Sequence, residues 1–179
     1  MKKVLIIMGL ISLITSCCSK IFPKKDDFLT IPRTQYNGDE LRLDGYFYQK
    51  WENGTKYSNI VFLYNNGIVF QIGGSGDMSE IDDYANQSLL FNSDVKDRKA
   101  FGGGYLVEDK NIIYERWEGT ELGYLVYREE GNIVNDTTFI MTEVSRMKQG
   151  VKTEIRPIEW TYHFKAFSPK PDSTNSFIP

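Results

Sequence analysis

The chain has 179 residues, with 21 lysines and arginines against 24 aspartates and glutamates, a formal net charge of −3 and two cysteines. The small net charge and the scattered basic residues exclude the concentrated positive surface that nucleic-acid binding requires, so we expect no nucleic-acid partner. Cys17 and Cys18 are neighbours, which excludes a disulfide framework and a cysteine-based metal site in the folded part of the chain.

The first predicted element is a secretory signal peptide over residues 1–16. Lys2 and Lys3 form a short positive region, and the apolar run over residues 4–14 is too short to span a membrane comfortably. We therefore expect the mature protein to be exported.

Residues 14–17, with the sequence Ile-Thr-Ser-Cys, resemble the lipobox of bacterial lipoproteins. The resemblance implies cleavage before Cys17, acylation of its thiol and new amino group, and a stable membrane attachment through several acyl chains. The alternative is an ordinary signal peptide that is cleaved elsewhere and leaves Cys17 and Cys18 as thiols. The resemblance implies a bacterial cell envelope, where we expect the protein at the outer membrane, facing the periplasm.

Residues 17–40 are predicted to be a lipid-anchored tether. The stretch 19–27 mixes charged residues with Pro23 and has little periodic apolar content, so it cannot bury enough surface to offset the entropy of ordering it. Residues 41–168 have the size of one domain, and residues 169–179 are predicted to be a C-terminal tail.

Antiparallel strands dominate the first half of the predicted domain. Residues 41–51 are predicted to form the first strand, and residues 59–72 are predicted to form a hairpin. Asn65-Asn66-Gly67 lies at the centre of this hairpin. This sequence is typical of a tight primed turn, which needs the positive φ angles that Asn and Gly tolerate.

One helix is predicted after this hairpin. The glycine-rich stretch 73–76 is expected to end the strand, and Asp77 or Ser79 is expected to cap a helix over residues 79–92. The helical spacing predicts a buried face that consists of Ile81, Tyr84, Ala85, Ser88 and Leu89.

The second half returns to strand patterns, and Gly102-Gly103-Gly104 is expected to form a bulge or a bend. The predicted strands are 101–107, 112–117, 124–128, 132–134, 136–144 and 159–167. About eight or nine short strands, each joined to its neighbour by a turn, make an antiparallel meander. Such a sheet must bury a face and protect its edges, and closure into a barrel does both.

Residues 104–117, the hairpin that ends at 135–139 and the stretch 162–175 carry a family resemblance. They are similar to uncharacterised lipoproteins of Bacteroidetes-type bacteria with a lipocalin-like strand order, and the likeness covers residues 40–175. The resemblance implies a mainly β fold, in which an antiparallel meander closes into a lipocalin-like (calycin) barrel of about eight strands with one helix. It carries no catalytic residue to transfer.

Few residues are candidates for catalysis. His163, the single histidine, falls on the polar face of the last predicted strand, so we expect a partly exposed residue and not a base or a metal ligand. Glu115, Glu118 and Glu121 form an acidic cluster, and a pair of carboxylates can run glycoside hydrolysis. A solvated strand face explains these acids more simply. We predict no enzyme activity, no cofactor and no metal, and a carbohydrate-active hydrolase is the least favoured alternative.

Aromatic residues are the more informative feature, at 14% of the chain. Tyrosine and tryptophan combine apolar area with a polar tip, which suits the lining of a ligand site, although strand propensity and core filling also favour them. The candidate ligand-binding residues are Tyr46, Tyr48, Tyr105, Tyr114, Trp117 and Tyr127. The predicted function is binding, either of a small apolar or amphipathic ligand or of an envelope partner. The alternative is an accessory subunit of an envelope complex, with a filled barrel core.

Overall fold

The computed structural model describes residues 26–51, 54–88, 99–121 and 123–178. The predictions of a signal peptide and of a lipobox at Cys17 lie outside these residues. The strands are β1 (Gly45–Lys50), β2 (Lys56–Leu63), β3 (Ile68–Asp77), β4 (Gly102–Glu108), β5 (Asn111–Thr120), β6 (Gly123–Asn135), β7 (Thr138–Lys148) and β8 (Val151–Ala166). A 3₁₀ turn, Met78–Glu80, leads into α1 (Ile81–Gln87), the one α-helix among the described residues.

Each strand pairs antiparallel with the next, and β8 pairs antiparallel with β1, so the sheet is a closed barrel. The prediction of a mainly β, lipocalin-like barrel of eight antiparallel strands is confirmed. The connections β1–β2, β3–β4, β5–β6 and β7–β8 lie at one end of the barrel, which we call the mouth. The other end, the base, holds the β2–β3, β4–β5 and β6–β7 turns. No described helix is long and apolar enough to cross a bilayer.

Side chains alternate across each strand, and this alternation divides the core into two layers. The inner layer fills the barrel with aromatic and branched residues, among them Phe47, Val61 and Phe139. The outer layer includes Ile60 and Phe62, which pack beneath helix α1 and the terminal segments. Strands with apolar residues on both faces are therefore buried on both faces.

Two predicted chain breaks are wrong, because the strands continue through them. The glycine-rich stretch 73–76 lies inside β3, where Ser75 and Gly76 pair with β2. The runs 124–128 and 132–134 belong to the single strand β6, and the predicted turn between them is a shift of register at Glu130 and Gly131. Ladder partners on both neighbouring strands hold these residues extended, which local sequence does not reveal.

The β2–β3 turn differs from the predicted primed turn. Gly67 alone of the three central residues has a positive φ, at 80°, and its N–H donates to the carbonyl of Tyr64 at 3.0 Å. The connection is therefore a longer turn that ends in a left-handed glycine. A Cβ at Gly67 would also collide with the backbone of Thr34, which crosses the turn.

Helix α1 confirms the predicted helix over residues 81–87, and the prediction for residues 89–92 lies outside the described part of the chain. Ile81 and Ala85 are buried as predicted. The predicted caps are wrong, since no side chain caps the first turn and Glu80 occupies the capping position of α1.

The triple glycine 102–104 forms no bulge, because β4 keeps a regular register with both of its neighbours. Its glycines allow the backbones of neighbouring segments to approach β4 closely. A Cβ at Gly103 would collide with the carbonyl of Glu115, and one at Gly104 would lie 3.1 Å from the carbonyl of Ile31, which belongs to the segment before the barrel.

The described parts of both terminal segments, 26–40 and 169–178, pack on the barrel, so the prediction of a tether and a tail is wrong for these residues. Within 26–40, Leu29 and Ile31 are buried against the sheet. Within 169–178, Lys170 donates to the carbonyls of Leu43 and Leu63, at 2.7 Å each. The local sequence did not predict this packing, because the partners of these residues lie on strands that are distant along the chain.

The buried side chain of Lys170 gives the fold a specific pH dependence. Burial lowers its pKa from the ordinary 10.5 to about 8. Between these values the unfolded chain binds more protons than the folded chain, so the free energy of unfolding rises with pH. We expect the wild type to gain roughly 2 kcal/mol over Lys170→Met between pH 8 and pH 10. Denaturant unfolding at several pH values measures this difference.

The comparison with Lys170→Met removes the contribution of other titrating groups. The pKa of buried Tyr64 is raised. Its ionisation therefore lowers the free energy of unfolding only above pH 10, in the wild type and in the variant alike. A wild type and a variant whose unfolding free energies change in parallel from pH 8 to pH 10 would contradict the prediction.

Candidate functional site

A cluster of polar side chains lies inside the barrel near its mouth. The register of β5 and β6 pairs Tyr114 with Glu129 and Arg116 with Tyr127, so all four side chains project to the inner face. The hydroxyl of Tyr114 donates to Glu129. The guanidinium of Arg116 lies 3.6 Å from the other carboxylate oxygen of Glu129. The arrangement places one buried acid against one arginine.

Burial is the dominant influence on the ionisation of this cluster. It raises the pKa of Glu129, while the Arg116 guanidinium and the Tyr114 hydroxyl oppose that rise. Burial also raises the pKa of Tyr114 and of Tyr162, and the Glu129 carboxyl adds to both shifts. The hydroxyls therefore stay protonated and act as hydrogen-bond donors.

A pocket of about 420 Å³ opens beside this cluster at the mouth. Its lining consists of Asn59, Gln71, Gly73, Ala100, Phe101, Arg116, Trp117, Glu118 and Gly119. Arg116 belongs to both the pocket and the buried cluster, so it connects the two. Gln71 Oε1 and Arg116 Nε are two of the eight buried side-chain atoms that have no hydrogen-bond partner within the described part of the chain, and both belong to residues that line this pocket. Such atoms are uncommon in folded proteins, and a ligand in the pocket could satisfy them.

The pocket wall includes a strained backbone position. Phe101 has a φ angle of 72°, a conformation that bulky side chains rarely adopt. Two hydrogen bonds hold it: its N–H donates to the carbonyl of Trp117 at 3.2 Å, and its carbonyl accepts from the N–H of Gln71 at 2.9 Å. Strain of this kind often occurs where a protein binds a ligand.

Three of the six candidate ligand-binding aromatics lie near this pocket. Trp117 lines it, Tyr114 belongs to the buried cluster, and the ring of Tyr127 lies 6.0 Å from the guanidinium carbon of Arg116. Trp117 and Tyr127 lie in the mouth half of β5 and β6, and Tyr114 lies nearer the middle of β5.

The other three candidates lie elsewhere and do not share a cavity with the pocket. Tyr46 and Tyr48 belong to the outer layer, and the Tyr46 hydroxyl donates to Asp82 of helix α1 at 2.6 Å. Tyr105 belongs to the inner layer at the base, where its hydroxyl donates to the carbonyl of Tyr64 at 2.8 Å. Outer packing accounts for Tyr46 and Tyr48, whereas Tyr105 also lines a separate pocket of about 200 Å³ at the base.

Sequence reasoning missed Asn59, Gln71 and Glu129 as site residues. A signal existed, because Gln71 follows Val69, and Arg116 follows Ile112 and Tyr114, at inward positions whose preceding residues are apolar or aromatic. That signal becomes usable only when the inner face of each strand is known.

Glu115 is buried, and the expectation of a solvated face is wrong for this residue. It lies on the outer face of β5, beneath the segment before the barrel. Its carboxylate accepts from the N–H of Thr30 at 2.5 Å, the N–H of Ile31 at 3.1 Å and Arg128 Nε at 2.9 Å. Glu118 projects to the opposite face, so the two carboxylates do not converge on one site.

His163 is half-buried on the outer face of β8, opposite Tyr48, as the strand pattern predicted. Across the described residues, no group of three or more histidine, cysteine, aspartate or glutamate side chains could hold a metal ion.

No protein-family model, curated protein or solved structure matches the chain. The fold and the site therefore define only the class of the protein. It is a closed, lipocalin-like antiparallel barrel with a pocket at its mouth.

The contacts of Glu115 predict a large effect of removing its carboxylate. Glu115→Ala leaves Arg128 and two backbone N–H groups without their acceptor, so we expect a loss of about 3 kcal/mol in the free energy of unfolding. Hydrogen exchange at residues 27–31 should also accelerate. Denaturant unfolding and amide exchange measure the two effects.

Glu118→Ala is the matched control on the same strand. Its side chain is 51% exposed and pairs with Arg116 at 3.2 Å, so we expect a change of less than about 1 kcal/mol. Equal losses in the two variants would mean that Glu115 does not hold the N-terminal segment.

Proposed function

We propose that the protein is a membrane-anchored, non-enzymatic lipoprotein of the bacterial cell envelope that binds an amphipathic small molecule in the mouth of its barrel. The lipobox-like residues 14–17 support the anchor, and the likeness to Bacteroidetes-type lipoproteins supports the envelope. The proposed location is the outer membrane, facing the periplasm.

One observation carries the binding function: the buried, unpaired Gln71 Oε1 and Arg116 Nε belong to side chains that line an open pocket of about 420 Å³. Leaving such groups unsatisfied costs about 1–3 kcal/mol each. A ligand that pairs with both recovers this energy on binding.

The lining indicates the chemistry of the ligand. Gln71 Oε1 accepts from a hydroxyl or an amide N–H, and Arg116 Nε donates to an oxygen. Glu118 and Glu129 already balance the charge of Arg116, so a neutral polar group is favoured over an anion. Phe101 and Trp117 supply an apolar wall.

A second function, as an accessory subunit, is favoured by the filled interior. Tyr105, Phe139 and Tyr162 are fully buried inside the barrel, and the Phe139 and Tyr162 rings stack with centroids 4.8 Å apart. A long apolar ligand therefore cannot occupy the barrel centre without repacking it. Because the interior is filled, the pocket at the mouth can hold only a small group or the end of a longer ligand.

A size series at Gly73 tests the pocket. A Cβ at Gly73 would meet only Asn59 Oδ1, at 3.9 Å, so Gly73→Ala should bind normally and Gly73→Phe should fill the pocket without unfolding the barrel. Native mass spectrometry of protein extracted gently from its own membrane should show a small molecule on the wild type and on Gly73→Ala, and none on Gly73→Phe.

A matched pair of arginine variants separates the pocket from general surface effects. Arg116→Met should lose the bound molecule, whereas Arg156→Met, at an exposed site on β8, should retain it. A wild type that carries only a bound protein would favour the accessory subunit. A small molecule that remains on Gly73→Phe would place binding outside this pocket.

Acylation at Cys17 has its own test. We expect the intact mass of the membrane-extracted protein to equal that of residues 17–179 plus a diacylglyceryl group, with or without an N-acyl chain. Cys17→Ser should abolish the added mass and release the protein from the membrane fraction. Cys18→Ser, one position along, should leave both unchanged. A mature chain that begins elsewhere would contradict the lipobox assignment.

A further inference from the structure

The described chain begins at the mouth of the barrel. Asp26 accepts from the N–H of Tyr124 at 3.0 Å and pairs with Lys99 at 2.6 Å, and the N–H of Asp27 donates to the carbonyl of Tyr124 at 3.0 Å. Tyr124 follows the β5–β6 connection directly. Asp26, the first described residue, is therefore held at the mouth.

The distance from this point to the proposed anchor is short. Nine residue steps separate Cys17 from Asp26, and an extended chain of that length spans at most about 30 Å. A lipid at Cys17 would hold the mouth, and not the base, close to the membrane surface.

Exposed apolar side chains concentrate at the same end. Trp51, directly after β1, is 56% exposed, and Val151, at the start of β8, is 63% exposed. Phe28 is 51% exposed and lies beside the β7–β8 turn, since a Cβ at Gly150 would be 3.0 Å from its ring. The other exposed large apolar side chains among the described residues are Val134 at the base, Ile155 within β8 and Phe177, whose ring lies 5.8 Å from Lys99 Nζ.

We propose that the rim of the mouth, formed by Phe28, Trp51 and Val151, docks onto the surface of a lipid bilayer. Tryptophan and phenylalanine favour the membrane interface because an apolar ring and a polar environment are both available there. Exposed Lys50, directly before Trp51, suits anionic headgroups. The inference rests on the proposed anchor, which keeps the rim within reach of the bilayer.

Docking in this orientation turns the pocket of Gln71 and Arg116 toward the membrane. An amphipathic ligand could then pass between the bilayer and the mouth without crossing open solvent. None of the three apolar side chains lines the pocket, so changing them leaves the pocket lining intact.

Tryptophan quenching tests the docking surface. Acylated full-length mature protein is reconstituted into vesicles of phosphatidylethanolamine and phosphatidylglycerol whose acyl chains are brominated. We expect the bromine to quench tryptophan emission, and Trp51→Phe to remove most of that quenching. Of the other two tryptophans, Trp117 is buried, and Trp160 is partly buried in the base half of β8. Val151→Asp should reduce the quenching at least about twofold, because it places a charge in the interface.

Val134→Asp is the matched control, because Val134 is 55% exposed but lies at the base. Its tryptophan emission should be quenched to the same extent as that of the wild type. Acylated protein whose Trp51 emission is not quenched would overturn the inference, and so would equal effects of Val134→Asp and Val151→Asp.

The mass of each sample separates this inference from the anchor. A mature chain without acyl mass overturns the anchor at Cys17, and the docking surface is then judged by sedimentation of that chain with the same vesicles. The docking proposal holds if Val151→Asp lowers the fraction of protein bound to vesicles and Val134→Asp does not. Any other result overturns it.

Discussion

The pairing of β8 with β1 is the constraint on which the rest of the structure depends. Closure leaves the barrel without an open edge, so its strands need no charged or polar protection along their sides. Strand β2 can therefore carry Ile60, Val61, Phe62 and Leu63 in succession. Because side chains alternate, two of these fill the interior and two face outward. The outward pair needs separate cover, and the helix and the terminal segments provide it.

The N-terminal segment is part of this cover, and buried acids attach it. Glu115 and Asp27 are both buried, and each accepts several hydrogen bonds from groups far away in the chain. Burying a carboxylate is costly unless hydrogen bonds and an opposite charge compensate it, and here Arg128 and Arg146 supply the charge. The acids that looked like solvated surface in the sequence therefore determine how the chain enters the fold.

The polar groups of the mouth differ from these acids in one respect. The Glu115 carboxylate has donors on both of its oxygens, whereas Gln71 and Arg116 each keep a buried polar atom without a partner in the described structure. A satisfied buried group is explained by the fold itself. An unsatisfied one beside an open pocket is the observation on which the proposed binding function rests. The strained φ angle of Phe101 at the same pocket agrees with this distinction.

The sequence by itself determined the antiparallel meander, since β-branched and aromatic runs separated by turn residues are a local property. It did not determine where strands end, because Gly76 and Gly131 are held extended by partners on neighbouring strands. It also suggested aromatic candidates but not Gln71, because the inner face of a strand depends on register. Only the tertiary structure decided that adjacent Glu115 and Arg116 have opposite roles. One residue of shift reverses the face of a side chain, and barrel closure selects the register.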